Sequence, residues 1–318
     1  MRSTIHRTLA VLCALVPLHG TSAAHAAQPP RRPNFVFVYT DDQRWDAMSV
    51  VQREQGAKAR FPWLKTPNFD RLAAEGVRFR NAFVVNSLCS PSRASFLTGT
   101  YGHRNGIVNN HTPFDAAQVT HAGLLRARRA IAPAMSASST WARSPGRGPG
   151  STTRQASWVR DATSIAPSRS MVERPTQGWI DDVSTDFAVK FLQESYDRPF
   201  LLVVGFKSAW RPFQPPPRLA RAYEGEEARP VPNLDLPPPY AGGQQPHALA
   251  VRPAGRPTTN LGYFRCITAA DQNLGRILDE LDRLKLTDDT VVVFTSDNGF
   301  YLGEHRLGDK RSAYDESL

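Results

Sequence analysis

The chain has few cysteines and no long apolar run. Of its three cysteines, Cys13 lies in an N-terminal segment of the kind that is removed on export, which leaves Cys89 and Cys266. Two cysteines allow at most one bridge, so the disulfide framework of small secreted domains is excluded. The apolar run at residues 9–18 is too short to span a bilayer, which takes about 20 residues. We therefore expect no membrane span.

The N-terminus has the pattern of a targeting segment. Arg2 and Arg7 precede the apolar run at 9–18, and the small-x-small string Ala24-His25-Ala26 follows it. This order of charge, apolar run and small residues predicts a signal peptide over 1–26 that is cleaved after Ala26. An uncut anchor is the alternative, but the polar residues at 28–30 disfavour it. The prediction is an exported protein, periplasmic or secreted.

The formal charge of +10 would by itself suggest a nucleic-acid partner, but the charge is concentrated in one segment. Residues 126–170 hold eight arginines and a single acid, Asp161, which accounts for +7 of the total. The rest of the chain has an ordinary balance, so no nucleic-acid partner is expected. The segment itself is rich in Arg, Ala, Ser, Gly and Pro without apolar periodicity, which predicts an irregular or disordered stretch.

Outside that segment, strand and helix patterns alternate. Nearly continuous apolar runs at 34–39, 199–207 and 290–295 are typical of buried parallel strands. Helical periodicity covers 68–75, 183–194 and 263–284. This alternation predicts an α/β fold, with a mainly parallel central sheet flanked by helices on both sides.

Polar side chains follow the first and the last of these strands. Asp41 and Asp42 come directly after the first strand, and Asp297 and Asn298 follow the last. Ligands of such sheets bind outside the carboxyl ends of the strands, so we expect these four side chains to meet there. Oxygen donors select a hard divalent ion, and the sequence therefore predicts a Ca²⁺ or Mg²⁺ site.

A second site pattern surrounds Cys89. Pro91 suits the first turn of a helix and Ser90 suits its N-cap, which would place Cys89 at a helix N-terminus. Free N–H groups and the helix dipole favour an anion there, and the guanidinium of Arg93, one turn further along the helix, adds a positive charge. The pattern predicts a site for an oxyanion.

The string Cys89-x-Pro-Ser-Arg-x-x-x-Leu-Thr-Gly99 resembles the signature of the sulfatase family. The stretches 34–42 and 296–310 are similar to the metal-binding strand ends of the same family, and in detail the chain resembles bacterial sulfatases of the iduronate and glucosamine type. The resemblance implies an alkaline-phosphatase-like α/β sandwich. It also implies that residues 32–318 are an incomplete N-terminal catalytic domain, from which the smaller C-terminal subdomain of the family is missing.

The resemblance also implies a chemistry. In the family, a maturation enzyme oxidises the signature cysteine, here Cys89, to Cα-formylglycine, which attacks a sulfate ester. One divalent cation is implied, Ca²⁺ in preference to Mg²⁺, and its implied ligands are Asp41, Asp42, Cys89, Asp297 and Asn298. Arg93 would steady the aldehyde hydrate, Lys310 would bind the sulfate group, and Lys207 would contact the leaving group. The implied substrate is a sulfated small molecule or carbohydrate.

Two departures from the family pattern leave alternatives open. The family's Gly-Lys-Trp-His string is absent from the region around 139–143, where a shifted reading frame through 126–170 is one explanation. The expected Lys-x-Pro-His string becomes Lys207-Ser208-Ala209-Trp210, so the general acid is unassigned. A catalytically impaired sulfatase remnant is therefore one alternative to an active sulfatase. A phosphonate or phosphate monoester hydrolase of the same superfamily is the other.

Overall fold

The computed structural model describes residues 32–115, 117–127, 132–137, 154–158, 172–175, 178–195, 198–234, 236–238 and 259–318. The predicted signal peptide, residues 1–26, lies outside the described residues, as does most of the segment 126–170. In the part of the chain that is described, no helix has the length and apolar character needed to cross a membrane.

A six-stranded sheet forms the centre of the fold. Its strands are β1 (Asn34–Thr40), β2 (Ala132–Ala137), β3 (Arg154–Trp158), β4 (Val172–Pro175), β5 (Phe200–Gly205) and β6 (Thr290–Ser296). They lie in the order β4-β3-β2-β5-β1-β6. The four strands from β2 to β6 in that order pair in parallel, whereas β3 and β4 extend the sheet in antiparallel fashion. The predicted mainly parallel sheet is confirmed.

Helices connect these strands as the apolar periodicity predicts. The described helices are α1 (Ser49–Gln55), α2 (Pro67–Glu75), α3 (Cys89–Thr98), α4 (Gly102–Asn105), α5 (His121–Ala127), α6 (Ile180–Ser195) and α7 (Leu261–Arg283). The predicted helices at 68–75, 183–194 and 263–284 correspond to α2, α6 and α7, with ends that differ by at most three residues. Helix ends are the least certain part of such predictions, because the last turn is held by few hydrogen bonds.

The sheet buries an apolar layer on each face. On one face, Val36 and Val204 belong to a buried cluster that includes Ile267 and Leu274 of α7. On the other face, Val203 belongs to a second cluster that includes Ala122 of α5, and Phe96 of α3 packs against it. A parallel sheet needs both faces covered because its strands are apolar on both sides.

The segment 126–170 differs from the prediction that it contains no regular element. Strand β2 and strand β3 both lie within it and belong to the central sheet, where β2 pairs in parallel with β5 over residues 200–205. Strand pairing uses backbone groups, which every residue type carries, so a stretch of small residues can join a sheet without an apolar period. The remainder of the segment lies outside the described residues.

A small hairpin lies near the end of the described chain. It consists of β7 (Tyr301–Leu302) and β8 (Gly308–Asp309), which pair in antiparallel fashion. Buried Glu304, between the two strands, accepts a hydrogen bond of 2.6 Å from the guanidinium of buried Arg44. The hairpin is thereby tied to the chain that follows β1.

Candidate active site

The first and last recognised motifs meet at the carboxyl edge of the sheet. β1 and β6 are neighbours in parallel register, with Thr40 opposite Ser296, so the residues that follow each strand lie side by side. The Asp42 N–H donates to Asp297 Oδ1 at 3.1 Å, and Asn298 Nδ2 donates to Asp42 Oδ1 at 2.7 Å. These side chains are all buried, within 4% exposure. The predicted convergence of the two strand ends is therefore present.

Helix α3 brings Cys89 to this edge as its first residue. The Cys89 thiol lies 3.5 Å from Asp41 Oδ1, towards which it points as a donor. The prediction that Ser90 is the N-cap is wrong, because Leu88 occupies that position and makes no side-chain cap. Instead the Ser90 N–H donates to Asn110 Oδ1 at 2.9 Å, so a side chain from a distant loop satisfies this part of the first turn.

Arg93 joins the two strand ends from the next turn of α3. Its Nη2 lies 2.8 Å from Asp41 Oδ2 and 2.6 Å from Asp297 Oδ2, with all three side chains buried. Burial opposes the charge of the guanidinium, but the two carboxylates outweigh it and hold the pKa of Arg93 well above its usual value. A permanent positive charge is thus fixed beside the thiol.

Lys310, which directly follows the hairpin of β7 and β8, contacts the same group of side chains. Its Nζ donates to Cys89 Sγ at 2.9 Å, forms an ion pair with Asp42 Oδ1, and lies 3.9 Å from Asp41 Oδ1. Burial disfavours the ammonium, but Asp42 and Asp41 outweigh this effect and raise its pKa. The lysine therefore stays charged in the buried site.

The three carboxyls of the site have different proton affinities. Burial, followed by repulsion from Asp41, raises the pKa of Asp42 to about 8. The same two causes raise the pKa of Asp297, although Arg93 opposes them. Burial also disfavours the Asp41 carboxylate, but the charges of Arg93, Lys310 and Lys207 outweigh it and hold the Asp41 pKa below its usual value. Asp41 is therefore the carboxyl that remains ionised most readily.

The thiol of unmodified Cys89 is a weak nucleophile in this environment. Burial, followed by the negative charges of Asp41 and Asp297, raises its pKa to about 12. Lys310 opposes this shift without reversing it. The side chain therefore carries its proton at neutral pH, and a thiolate mechanism finds little support in these surroundings.

Lys207, the remaining predicted site residue, follows β5 at the same carboxyl edge of the sheet. Its charge is close enough to Asp41 to lower the pKa of that carboxyl, while burial lowers the pKa of Lys207 itself. Lys207 Nζ lies 3.3 Å from the centroid of the Trp210 ring, which is 37% exposed. An aromatic ring thus contacts the lysine at the position where the family pattern carries a histidine.

The donor set fits a hard divalent cation. Ligand atoms of Asp41, Cys89 and Asp297 all lie within 4.8 Å of one another. Asn298 Oδ1 is buried and has no hydrogen-bond partner among the described residues, which is the environment of an oxygen that a metal ion could satisfy. Asp41, Asp42, Asp297 and Asn298 offer oxygen donors of the type that Ca²⁺ and Mg²⁺ prefer.

Sequence reasoning missed two residues that support the site. The Tyr263 hydroxyl of α7 donates to the Asp42 carbonyl at 2.8 Å, and buried Asp181 of α6 accepts the backbone N–H of Lys207 at 2.6 Å. Tyr263 begins the predicted helical pattern 263–284, where an aromatic residue suggests packing. Asp181 precedes the predicted pattern 183–194, and an acid in the first turn of a helix suggests a favourable contact with the helix dipole. No local signal distinguished them from ordinary helix residues.

Comparisons with known proteins identify the family of the chain. A family model described as Sulfatase matches residues 33–318. An N-acetylglucosamine-6-O-sulfatase of Bacteroides thetaiotaomicron is 27% identical over 380 residues, which cover 95% of this chain and 65% of the relative. The chain therefore spans slightly less than two thirds of the length of this curated relative.

Solved structures share the fold. A protein in complex with its substrate D-glucosamine-2-N,6-O-disulfate superposes with a TM-score of 0.71 and 26% identity, over 90% of this chain and 69% of the other. The phosphonate monoester hydrolase of Agrobacterium radiobacter superposes with a TM-score of 0.63 over 90% of this chain and 66% of the other. Its identity of 24% indicates a shared fold only. Because the family model covers nearly the whole chain, the chain belongs to the sulfatase family.

Proposed function

We propose that this chain carries the catalytic site of an exported, metal-dependent sulfate ester hydrolase whose nucleophile is a formylglycine at position 89. The observation that carries the proposal is the meeting of Cys89, Lys310 and Arg93 at the strand ends that hold the acids. Lys310 Nζ lies 2.9 Å from Cys89 Sγ, and Arg93 bridges Asp41 and Asp297. Such a centre can hold both a modified side chain and a tetrahedral anion.

The charge of the site favours an anionic substrate once a cation is bound. The carboxylates of Asp41, Asp42 and Asp297 are balanced by three positive side chains, those of Arg93, Lys207 and Lys310. A divalent cation would leave the cluster with a net positive charge. Without the cation, the cluster would carry no net positive charge to attract a sulfate group, so the oxyanion site depends on the metal site.

The proposed chemistry needs an aldehyde rather than a thiol. A thiolate that attacked sulfur would hold the sulfate group with no easy route to release it, and the pKa of Cys89 near 12 already disfavours the thiolate. An aldehyde hydrate carries two hydroxyls on one carbon. One attacks sulfur and expels the alcohol; the second then loses its proton, the C–O bond to sulfate breaks, and the aldehyde returns.

The residues of this chain have separate roles in that sequence. Asp41, Asp42, Asp297 and Asn298 would hold the cation, which when bound polarises a sulfate oxygen. Arg93 would steady the hydrate of residue 89, and Lys310 would bind the sulfate group. Lys207 would contact the leaving alcohol, which leaves the general acid without an assigned residue.

The relatives support a sulfated carbohydrate as the substrate class. The similar curated protein is named for N-acetylglucosamine-6-O-sulfate chemistry, and the similar structure holds a glucosamine disulfate. We propose Ca²⁺ in preference to Mg²⁺, because a set of four oxygen-bearing side chains suits the larger ion. Export through the segment 1–26 and a separate maturation enzyme for Cys89 complete the proposal.

The deciding experiment combines mass spectrometry with a substrate panel. The full chain would be produced together with a formylglycine-generating enzyme, and the peptide that contains residue 89 would be weighed for conversion of the thiol to the aldehyde. Nitrophenyl sulfate, nitrophenyl phosphate and a phenyl phosphonate ester would then be compared with Ca²⁺ present. Preference for the sulfate supports the proposal, whereas preference for the phosphorus esters supports the phosphonate or phosphate hydrolase. If none of the three esters is hydrolysed although the aldehyde is present, the result supports a catalytically impaired remnant.

A further inference from the structure

The turn that carries Lys207 is held by a carboxylate from another element. Asp181, the second residue of α6, accepts hydrogen bonds from the backbone N–H groups of Lys207 and Ser208 at 2.6 and 3.0 Å. The Ser208 hydroxyl donates to the same carboxylate at 2.5 Å. Asp181 has no exposed surface, so all three bonds form away from solvent.

The same turn forms two hydrogen bonds with the backbone of Asp41. The Asp41 N–H donates to the Ser208 carbonyl at 2.6 Å, and the Ala209 N–H donates to the Asp41 carbonyl. Asp41 is thus held on both sides of its Cα by residues of the turn. Any movement of residues 207–209 would therefore move both Lys207 and an expected ligand of the cation.

Stability alone does not explain a carboxylate in this place. Burial raises the pKa of Asp181 to about 6, and the three donors of the turn only partly offset that effect. No salt bridge to Asp181 is present among the described residues, although a carboxylate without a counter-charge is costly to bury. Two backbone N–H groups aimed at one carboxylate define the geometry of a turn more closely than an apolar contact would.

We propose that Asp181 is a positioning residue of this site: its buried carboxylate sets the 207–209 turn, and the turn sets Asp41. The Asp181 carboxylate contacts the turn and not the side chain of Asp41. It acts through the two hydrogen bonds between the turn and the Asp41 backbone. The consequences for turnover and for cation binding rest on the proposed function, but the consequence for the local structure does not.

The neighbouring acid offers a matched control. Asp182 is also at the start of α6, but it faces Arg218, whose guanidinium donates to it at 2.5 and 2.8 Å, and Asn273 at 2.8 Å. These contacts lie outside the 207–209 turn. Asp182→Asn therefore removes one acid from the same helix end without touching the turn.

The test compares Asp181→Asn with Asp182→Asn in the full chain. In Asp181→Asn, an N–H₂ group replaces one carboxylate oxygen and faces an N–H donor of the turn. The turn therefore loses part of the hydrogen bonding that holds it. Hydrogen exchange followed by mass spectrometry should quicken in peptides that cover residues 39–43 and 206–210, but not in peptides from α7. Calorimetry with Ca²⁺ should give an affinity about 10- to 100-fold below that of Asp182→Asn, comparable with losses from removed supports of metal ligands. In active protein, kcat should fall while KM changes less than twofold.

Two results would overturn the proposal. One is unchanged exchange at residues 39–43 together with the Ca²⁺ affinity of the control. The other is faster exchange throughout the fold, which would make Asp181 a general stabilising residue. If Asp181→Asn does not fold, Ser208→Ala replaces it, since it removes one of the three bonds and should give a smaller change in the same peptides. Protein that binds Ca²⁺ but hydrolyses no ester would contradict the proposed function and still decide the role of Asp181.

Discussion

Lys310 donates a hydrogen bond to the sulfur of Cys89 at 2.9 Å across a sequence separation of 221 residues. The contact joins the N-terminus of α3 to the end of the C-terminal hairpin. It forms because β1 and β6 are neighbours, which brings the motifs after these strands to one edge of the sheet. The position of the proposed nucleophile and the lysine that would bind a sulfate group are therefore brought together by the same pair of strands.

The first prediction concerns the two described cysteines. Cys89→Ala should lower sulfate ester turnover by at least about 1,000-fold, because it removes the side chain that is proposed to become the nucleophile. Cys266→Ala is the control: Cys266 is equally buried but lies within α7, so this variant should keep its turnover. Initial rates with nitrophenyl sulfate measure both. Activity that survived in Cys89→Ala would refute the proposed nucleophile.

A second prediction comes from the raised pKa of Asp42. Its value of about 8 lies above the ordinary 3.8, so the folded protein holds this proton more tightly than the unfolded chain. Stabilisation by this group is complete below pH 3.8 and is lost as the pH rises through about 8, with a slope of about 1.4 kcal/mol per pH unit in between. Metal-free protein should therefore lose free energy of unfolding over that window relative to Asp42→Asn.

Urea unfolding of both proteins at pH 5 and pH 8, in the presence of a chelator, measures that difference. Asp181 and Asp271, whose pKa values are raised to about 6, titrate in both proteins and cancel in the comparison. Ca²⁺ should restore stability at pH 8 in the wild-type chain, because cation binding favours the ionised acid. Parallel stability curves for the two proteins would contradict the raised pKa.

A third prediction tests the metal ligands through Asn298. Its buried Oδ1 has no partner among the described residues, so the loss of this oxygen should weaken the binding of a cation. The loss of the hydrogen bond from Nδ2 to Asp42 would account for any accompanying change in stability. Asn298→Ala should reduce the Ca²⁺ affinity by at least about 10-fold, as judged from the effect of removing supporting groups of metal sites. Asn109→Ala, at an exposed position, should bind Ca²⁺ like the wild type. Calorimetry with equal affinities in the two variants would exclude Asn298 as a ligand.

The fourth prediction concerns the missing histidine. Trp210 contacts Lys207 and occupies the position where the family pattern has a histidine. Trp210→His should therefore supply a proton donor beside the leaving group. Turnover of an alkyl sulfate should rise about 10-fold or more, since general acids contribute most where the leaving alcohol is poor. Nitrophenyl sulfate should change little.

Trp210→Phe is the control for that experiment, because it keeps an aromatic ring on Lys207 without a titratable group. It should leave the ratio of alkyl to nitrophenyl sulfate turnover close to that of the wild type. An equal rise in the histidine and phenylalanine variants would show that space, and not proton donation, limits the reaction.

Much of this architecture could be predicted because it depends on local patterns. The apolar run that ends at Asp41 and the run that ends at Asp297 each identify a buried strand, and parallel pairing places the residues after both strands at one sheet edge. The segment 126–170 was harder, since the strands within it lack an apolar period and join the sheet through backbone pairing with β5. Asp181 gave no signal at all, because its role depends on a turn that follows another strand.

The sequence by itself determined the α/β class, the family and the identity of the residues that gather around Cys89, because spacing and residue type are local properties of the chain. Only the tertiary structure decided how these residues share charge. Burial raises the pKa of Asp42, while Arg93 and the lysines hold that of Asp41 down, and such differences depend on distances between segments far apart in the chain. Electrostatic effects grow when water is excluded, and the packed fold alone excludes it.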